Sequence, residues 1–228
     1  MPVSDGYVPT RCWTWRRLVL YAFLIGAVYI GSQVTSAVIL LFVTTVLSEV
    51  PVIDVNAEEV GIFLSRFLPV SVLASAAACI PLALNLAGRC ETRPGEFLGL
   101  RRASVRYVVF ACAVTALFVA AGDLVTTLLG RSVIPEFMVE AYAGSTSHRV
   151  LLFAALVVVA PVCEELLFRG FLFGGLRACG ATVGVAVVVV SILFSVLHFQ
   201  YDAYDGTIIF LLGLLYAGAR VQSGSVVP

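Results

Sequence analysis

From Leu18 to Leu47 the chain runs without a single charged side chain. As a helix that run rises about 45 Å, against a bilayer hydrocarbon core of roughly 30 Å. It is too long for the apolar part of a signal peptide, and no A-x-A cleavage site stands out. Arg11, Arg16 and Arg17 precede it, so it reads as an uncleaved first membrane span. Five further apolar stretches follow, approximately Ile62–Ala87, Val105–Leu129, Val150–Leu176, Thr182–Phe199 and Thr207–Arg220. The second and fourth are also long enough to span with tilt, and the last is short. The expected fold is all-α: a polytopic transmembrane helical bundle of about six spans.

Composition agrees. Hydrophobic residues make up 61% of the 228 and charged residues 12%, with a mean hydropathy of +1.04. Soluble domains carry about 25% charged residues, so a water-facing surface is excluded, and the apolar content excludes disorder. Fourteen basic residues balance fourteen acidic ones, which leaves no electrostatic signal for nucleic acid. Membrane lipid is the expected surrounding. The six cysteines show no CxxC spacing, and Cys12, Cys90 and Cys179 lie at the edges of apolar runs. They read as small hydrophobes rather than a disulfide framework.

Loop charges set an orientation. Arg11, Arg16 and Arg17, then Arg89, Arg93, Arg101, Arg102 and Arg106, then Arg169 and Arg177 beside the turn after the fourth stretch, and Arg220 at the close of the sixth, mark one side. Glu49, Asp54, Glu58, Glu59, Glu136, Glu140, Asp202 and Asp205 mark the other. The positive-inside rule puts the N-terminus in the cytoplasm, in what reads as a bacterial plasma membrane. In the connection 131–149, Ile134, Phe137, Met138 and Tyr142 have helical spacing, which predicts a short interfacial helix. Glu58 and Glu59 read as solvated, and Arg66 and Asp123 as snorkelling to water from near span ends.

Chemistry concentrates between Pro161 and Phe199. Glu164 and Glu165 fall inside an apolar span, where ionisable groups cost several kcal/mol and mark functional sites by default. Arg169, four residues after Glu165, shares its helix face and pairs with it. Glu164 points about 100° away and is left as the freer carboxylate, suited to acid–base work. His198 is the one histidine inside an apolar segment. If Gly180 tops a tight hairpin, Glu164 and His198 lie about 24 and 27 Å from the turn, level within one helical turn. Phe168 and Phe194 share their faces and are expected to pack there. Asp202 reads as a solvated loop acid, with orientation of the His198 ring as the alternative. Catalytic zinc usually has three protein ligands, and HExxH is absent. No cofactor is expected, with zinc on Glu164, Glu165 and His198 as the minor alternative.

Glu164-Glu165-Leu-Leu-Phe-Arg169 resembles the EExxxR motif, and Phe194-Ser-Val-Leu-His198 the FxxxH motif, of the CPBP family of intramembrane proteases (CAAX proteases and bacteriocin-processing enzymes, also called Abi). The resemblance covers residues 150–228, a catalytic core distinct from the N-terminal transmembrane helices and loops of 1–149. It implies an endopeptidase acting on a peptide or lipidated protein substrate. Glu164 and His198 would activate the hydrolytic water, with Glu165 and Arg169 in a supporting and orienting role. The family's third motif, a histidine followed four residues later by Asn, has no counterpart before Pro228. His148 precedes the first motif and is out of order. The expectation is therefore a chain truncated just short of its third motif. A second reading is a non-catalytic scaffold or immunity protein that binds a peptide in the same cavity. A third is a proton-coupled transporter, although no inverted repeat is seen.

Overall fold

The computed structural model describes residues 12–48, 57–90, 92–146 and 148–226, without the side chains of 44, 45, 47, 48 and 57–66. Arg11, Glu49 and Asp54 therefore lie outside the described residues, as do the side chains of Glu58, Glu59 and Arg66. Every described element is helical: α1 (Trp15–Ser48), α2 (Ala57–Ala87), α3 (Pro94–Leu98), α4 (Val105–Leu128), α5 (Glu136–Gly144), α6 (Arg149–Ala178), α7 (Val183–Val196) and α8 (Ala203–Ser223). Five of them, α1, α2, α4, α6 and α8, are long and apolar enough to cross a membrane. The chain is a polytopic helical bundle, as its hydropathy predicts.

Two spans differ from expectation in length. Helix α7 has 14 residues, about 21 Å, and falls short of a full crossing. Helix α8 has 21 residues and begins at Ala203 instead of Thr207. Asp202 explains the earlier start: its Oδ1 accepts from the backbone N–H of Tyr204 (2.9 Å) and of Asp205 (3.0 Å), an N-cap that carries the helix through a polar stretch. Helix α5 forms where the interfacial helix is expected. Large apolar side chains point outward along the spans, among them Phe23 (74% exposed) and Leu117 (72%). In water such a surface would drive aggregation; in lipid it costs nothing.

The chain forms two compact units. One comprises Phe23–Leu82 and Ile134–Cys163. Here α1 meets α2 along small residues at every fourth position, Ser71, Ser75 and Cys79. The Ser32 hydroxyl donates to Ser75 Oγ at 3.0 Å, and Ser75 donates to the Ser71 carbonyl at 2.8 Å. Small side chains let the helix backbones approach closely where lipid offers no hydrophobic drive for association.

The other unit comprises Met1–Ala22, Ala83–Val133 and Glu164–Pro228. Its hairpin from α6 to α7 closes at Gly180, whose φ of +91° suits glycine. Gly180 N–H bonds the Arg177 carbonyl and Ala181 N–H the Leu176 carbonyl, which completes a Schellman cap; Thr182 then caps α7. Helix α4 runs antiparallel to α8: the Tyr107 hydroxyl donates to the Ala219 carbonyl near one end, and Thr126 and Tyr204 share a hydroxyl bond near the other. Asp123 is exposed.

The expectation that the cysteines stay unpaired is overturned for two of them: Cys12 and Cys90 form a disulfide. Their separation of 78 residues shows no local pattern, so the pair appears only once α1 and α2 return the chain to the same end. The bond seats Trp13, whose ring lies 4.7 Å from Phe97, 5.1 Å from Phe171 and 5.3 Å from Tyr21. In water, closing so long a loop stabilises by about 4 kcal/mol. Inserted helices already hold the two ends near each other, so the gain is smaller in a bilayer. Cys90→Ser is expected to lower the thermal midpoint of the detergent-solubilised protein and to expose the chain ahead of Trp15 to protease. An unchanged midpoint and cleavage pattern would show that Trp13 holds its place without the bond.

Candidate active site

Helix α6 carries the site on an irregular stretch. Residues Ala154–Val159 and Glu165–Leu172 are π-helical, with the short α segment Ala160–Glu164 between them. Such wide turns are uncommon and gather at functional sites. The second π stretch is braced from behind. A Cβ on Gly170 would stand 3.0 Å from the Leu98 carbonyl oxygen, and one on Gly174 3.0 Å from that of Phe97. The backbone of α3 thus lies directly on a Gly-x-x-x-Gly face of α6, an approach that any side chain would block.

The four residues singled out in the sequence come together, and they do so as two pairs. Arg169 Nη1 lies 3.0 Å from Glu165 Oε1. Arg169 is 0% exposed, and none of its N–H groups has an aligned hydrogen-bond acceptor among the described residues. The contact is therefore one of charge with charge, supplemented by ring faces. The guanidinium carbon sits 4.2 Å from the Phe194 ring centre, 5.4 Å from that of Tyr216 and 6.0 Å from that of Phe168. Phe168 and Phe194 meet edge-on at 5.2 Å, the packing role expected of them. On the other side of α6 the Arg169 carbonyl accepts a long bond from Arg220 Nε, 3.4 Å.

Glu164 and His198 form the second pair, Oε1 to Nε2 at 4.0 Å. Their side chains are 31% and 20% exposed, whereas Arg169 is fully enclosed. His198 Nδ1 lies 2.6 Å from the Phe194 carbonyl oxygen. A carbonyl only accepts, so Nδ1 carries a proton, and Nε2 is the ring nitrogen that faces Glu164. In the neutral imidazole this tautomer leaves Nε2 as an acceptor beside the carboxylate. The zinc set considered from sequence is not assembled. Glu165 stays with Arg169, and among the described residues no three His, Cys, Asp or Glu side chains converge as ligands.

Asp202 does not orient the His198 ring. One carboxylate oxygen caps α8 and the other pairs with Arg131, whose guanidinium lies 4.6 Å from the Tyr204 ring centre. This clamp ties the end of α4 to the loop that holds His198. Sequence reading also passed over Tyr201 and Tyr216. Tyr201 stands three residues past His198, and its ring stacks on the imidazole at 6.2 Å with 24° between planes. That i, i+3 spacing was the available signal. Tyr216 had none, because it reaches Arg169 from another helix.

Glu165→Gln leaves a solvent-free guanidinium without its counter-charge, and is expected to cost about 3 kcal/mol in denaturant unfolding. Glu165→Gln combined with Arg169→Met should recover most of that loss. A single variant as stable as the parent would show that the rings alone hold Arg169. The clamp has a pH signature. The Asp202 carboxyl is held below its usual range, first by the Asp205 backbone N–H and then by Arg131 and the Tyr204 N–H. Its contribution is complete above the ordinary carboxylate value of about 4 and fades as pH falls through the lowered one. Protection of the Tyr204 and Asp205 amides, taken as the exchange rate relative to that of the free peptide at the same pH, should therefore hold steady from pH 8 to 5 and fall only in stronger acid.

Residues 146–228 match the family described as type II CAAX prenyl endopeptidase Rce1-like. A relative from Escherichia coli, an "Uncharacterized 24.3 kDa protein", is 31% identical over 134 residues, covering 56% of this chain and 58% of the relative. The chain thus spans just over half the length of that curated relative. No solved structure matches. The matched stretch contains Glu164, Glu165, Arg169 and His198, so the family match and the CPBP resemblance of the two motifs fall on the same residues.

Proposed function

We propose that residues 150–228 form the catalytic core of an intramembrane endopeptidase, which hydrolyses a peptide bond in a membrane-associated or lipidated substrate. The N-terminus lies on the cytoplasmic side of a bacterial plasma membrane in this reading, a reducing side on which the Cys12–Cys90 bond is an exception. The observation that carries it is the Glu164–His198 pair, Oε1 and Nε2 4.0 Å apart, with Nδ1 of the ring turned to the Phe194 carbonyl. A water seated beside them donates one hydrogen to each, which orients its oxygen lone pair outward. Glu164 then takes a proton as that oxygen attacks the scissile carbonyl carbon, and returns it to the leaving amine. His198 accepts the second hydrogen bond and stabilises the charge that develops. Glu165, held by Arg169, keeps the neighbouring turn of α6 in place. The family match supports protease chemistry, and a prenylated peptide is the substrate it suggests for this chain.

The test uses purified full chain in liposomes with a fluorogenic peptide that ends in a farnesylated Cys and three further residues. Glu164→Gln is isosteric and is expected to lower turnover by at least a thousandfold, with thermal unfolding unchanged. Cleavage at the parental rate by that variant would overturn the role of Glu164, whereas no cleavage by the parent chain would leave a peptide-binding scaffold as the better reading.

A further inference from the structure

In the orientation proposed above, Cys12 and Cys90 lie on the reducing side of the membrane, where the disulfides that do form are usually transient and redox-sensing. The two residues are unequally placed. Cys12 is half-buried and Cys90 is buried, so a small thiolate from solution meets Cys12 first.

Trp13 follows Cys12 directly, and its seat is costly. The residue is 4% exposed, yet its indole N–H has no acceptor among the described residues, a deficit of about 1–3 kcal/mol. A tryptophan released from such a seat gains a hydrogen bond at the membrane interface, where this side chain is enriched. Against release stand the ring contacts with Phe97, Phe171 and Tyr21 and the covalent link from Cys12 to Cys90. What Trp13 covers is the helix that carries Glu164. A Cβ on Gly175 would stand 2.8 Å from Trp13 Cζ3 and 2.5 Å from Leu18 Cδ1, so the start of α1 rests directly on α6. Phe171, against the same ring, belongs to the π-helical stretch Glu165–Leu172, at whose edge Glu164 stands.

We propose that Cys12 and Cys90 form a reversible thiol–disulfide switch, which when closed holds Trp13 on α6 and the π-helical stretch in register, and when open lets Trp13 leave. Control of turnover by the switch rests on the protease reading; release of Trp13 does not. The redox couple it answers to is a small thiol and the corresponding disulfide. On opening, one thiolate of that pool bonds to Cys12 Sγ, the Cys12–Cys90 bond breaks, and its electron pair leaves on Cys90 Sγ, which takes a proton. A second thiolate attacks the mixed disulfide, forms the small disulfide and frees Cys12, which is protonated in turn. Two small thiols are thus oxidised and two cysteines reduced, and closing is the reverse.

Thiol counting in cells is the first test. Acid trapping followed by a polyethylene glycol maleimide should find all six cysteines free in unstressed cells. After a pulse of diamide it should find four, Cys79, Cys112, Cys163 and Cys179. Four in both conditions marks a permanent bond, six in both marks no bond, and either overturns the switch. The second test uses the purified full chain in liposomes, oxidised or reduced with glutathione. Reduction is expected to quicken amide exchange over residues 170–175 about tenfold and to slow cleavage of the farnesylated peptide about tenfold, the scale on which small displacements of reacting groups act. Cys90→Ser should show the reduced-state values in every buffer, and Trp13→Ala should show them with the bond closed. Exchange that ignores reduction, or that responds equally in Cys90→Ser, overturns the switch and leaves the protease reading standing. Exchange that responds while turnover does not overturns control of the site. Exchange that responds in a parent that cleaves nothing in either state overturns the protease reading and leaves the switch standing.

Discussion

A guanidinium with no solvent access must be compensated entirely from within the protein, and the arrangement around Arg169 follows from that requirement. Glu165 supplies the opposite charge, and Phe194, Tyr216 and Phe168 supply ring faces. These come from three helices, so compensation of one cation fixes α6, α7 and α8 against one another. Phe194 has a second task, because its carbonyl sets the tautomer of His198. The ion pair and the Glu164–His198 pair thus share a residue, and a disturbance of one reaches the other through Phe194.

The bracing of α6 comes from the opposite direction. Gly170 and Gly174 admit the α3 backbone, and Trp13, seated by the Cys12–Cys90 bond, packs on Phe171. A π-helical stretch has poorer intrinsic hydrogen bonding than an α-helix and persists where surroundings hold it. Here the support is backbone and aromatic on one face, and charge and aromatic on the other. Glu164 stands at the N-terminal edge of that stretch, where the register of α6 changes.

Much of this was legible in the sequence, for reasons that can be named. Apolar runs locate the spans because lipid contact leaves nearly every residue of a span apolar, whichever way it faces. Gly180 and Thr182 mark the hairpin, and counting residues from that turn brought Glu164 level with His198. Hydropathy is blind to capping, so the first turn of α8 was missed although Asp202 and its partners stood in plain view. The π turns were hidden for another reason: they depend on what packs against α6, and nothing in Glu165–Leu172 itself specifies them. The disulfide and Tyr216 are likewise products of tertiary return, with partners tens of residues away. Tyr201 lay close by, yet an aromatic one turn past a histidine has no meaning until its ring is seen to stack.

The shortness of α7 has a consequence for how water comes near His198. With the Gly180 turn at one boundary of the hydrocarbon, a 14-residue helix ends about 9 Å before the other. The polar residues Gln200, Tyr201 and Asp202 follow immediately, and lipid cannot cover them without dewetting their polar groups. A bilayer meets such a hydrophobic mismatch by thinning locally, at a fraction of a kcal/mol per Å. Thinning there would draw the headgroup region and its water down towards His198, so that a missing turn of helix offers the site a route to hydration.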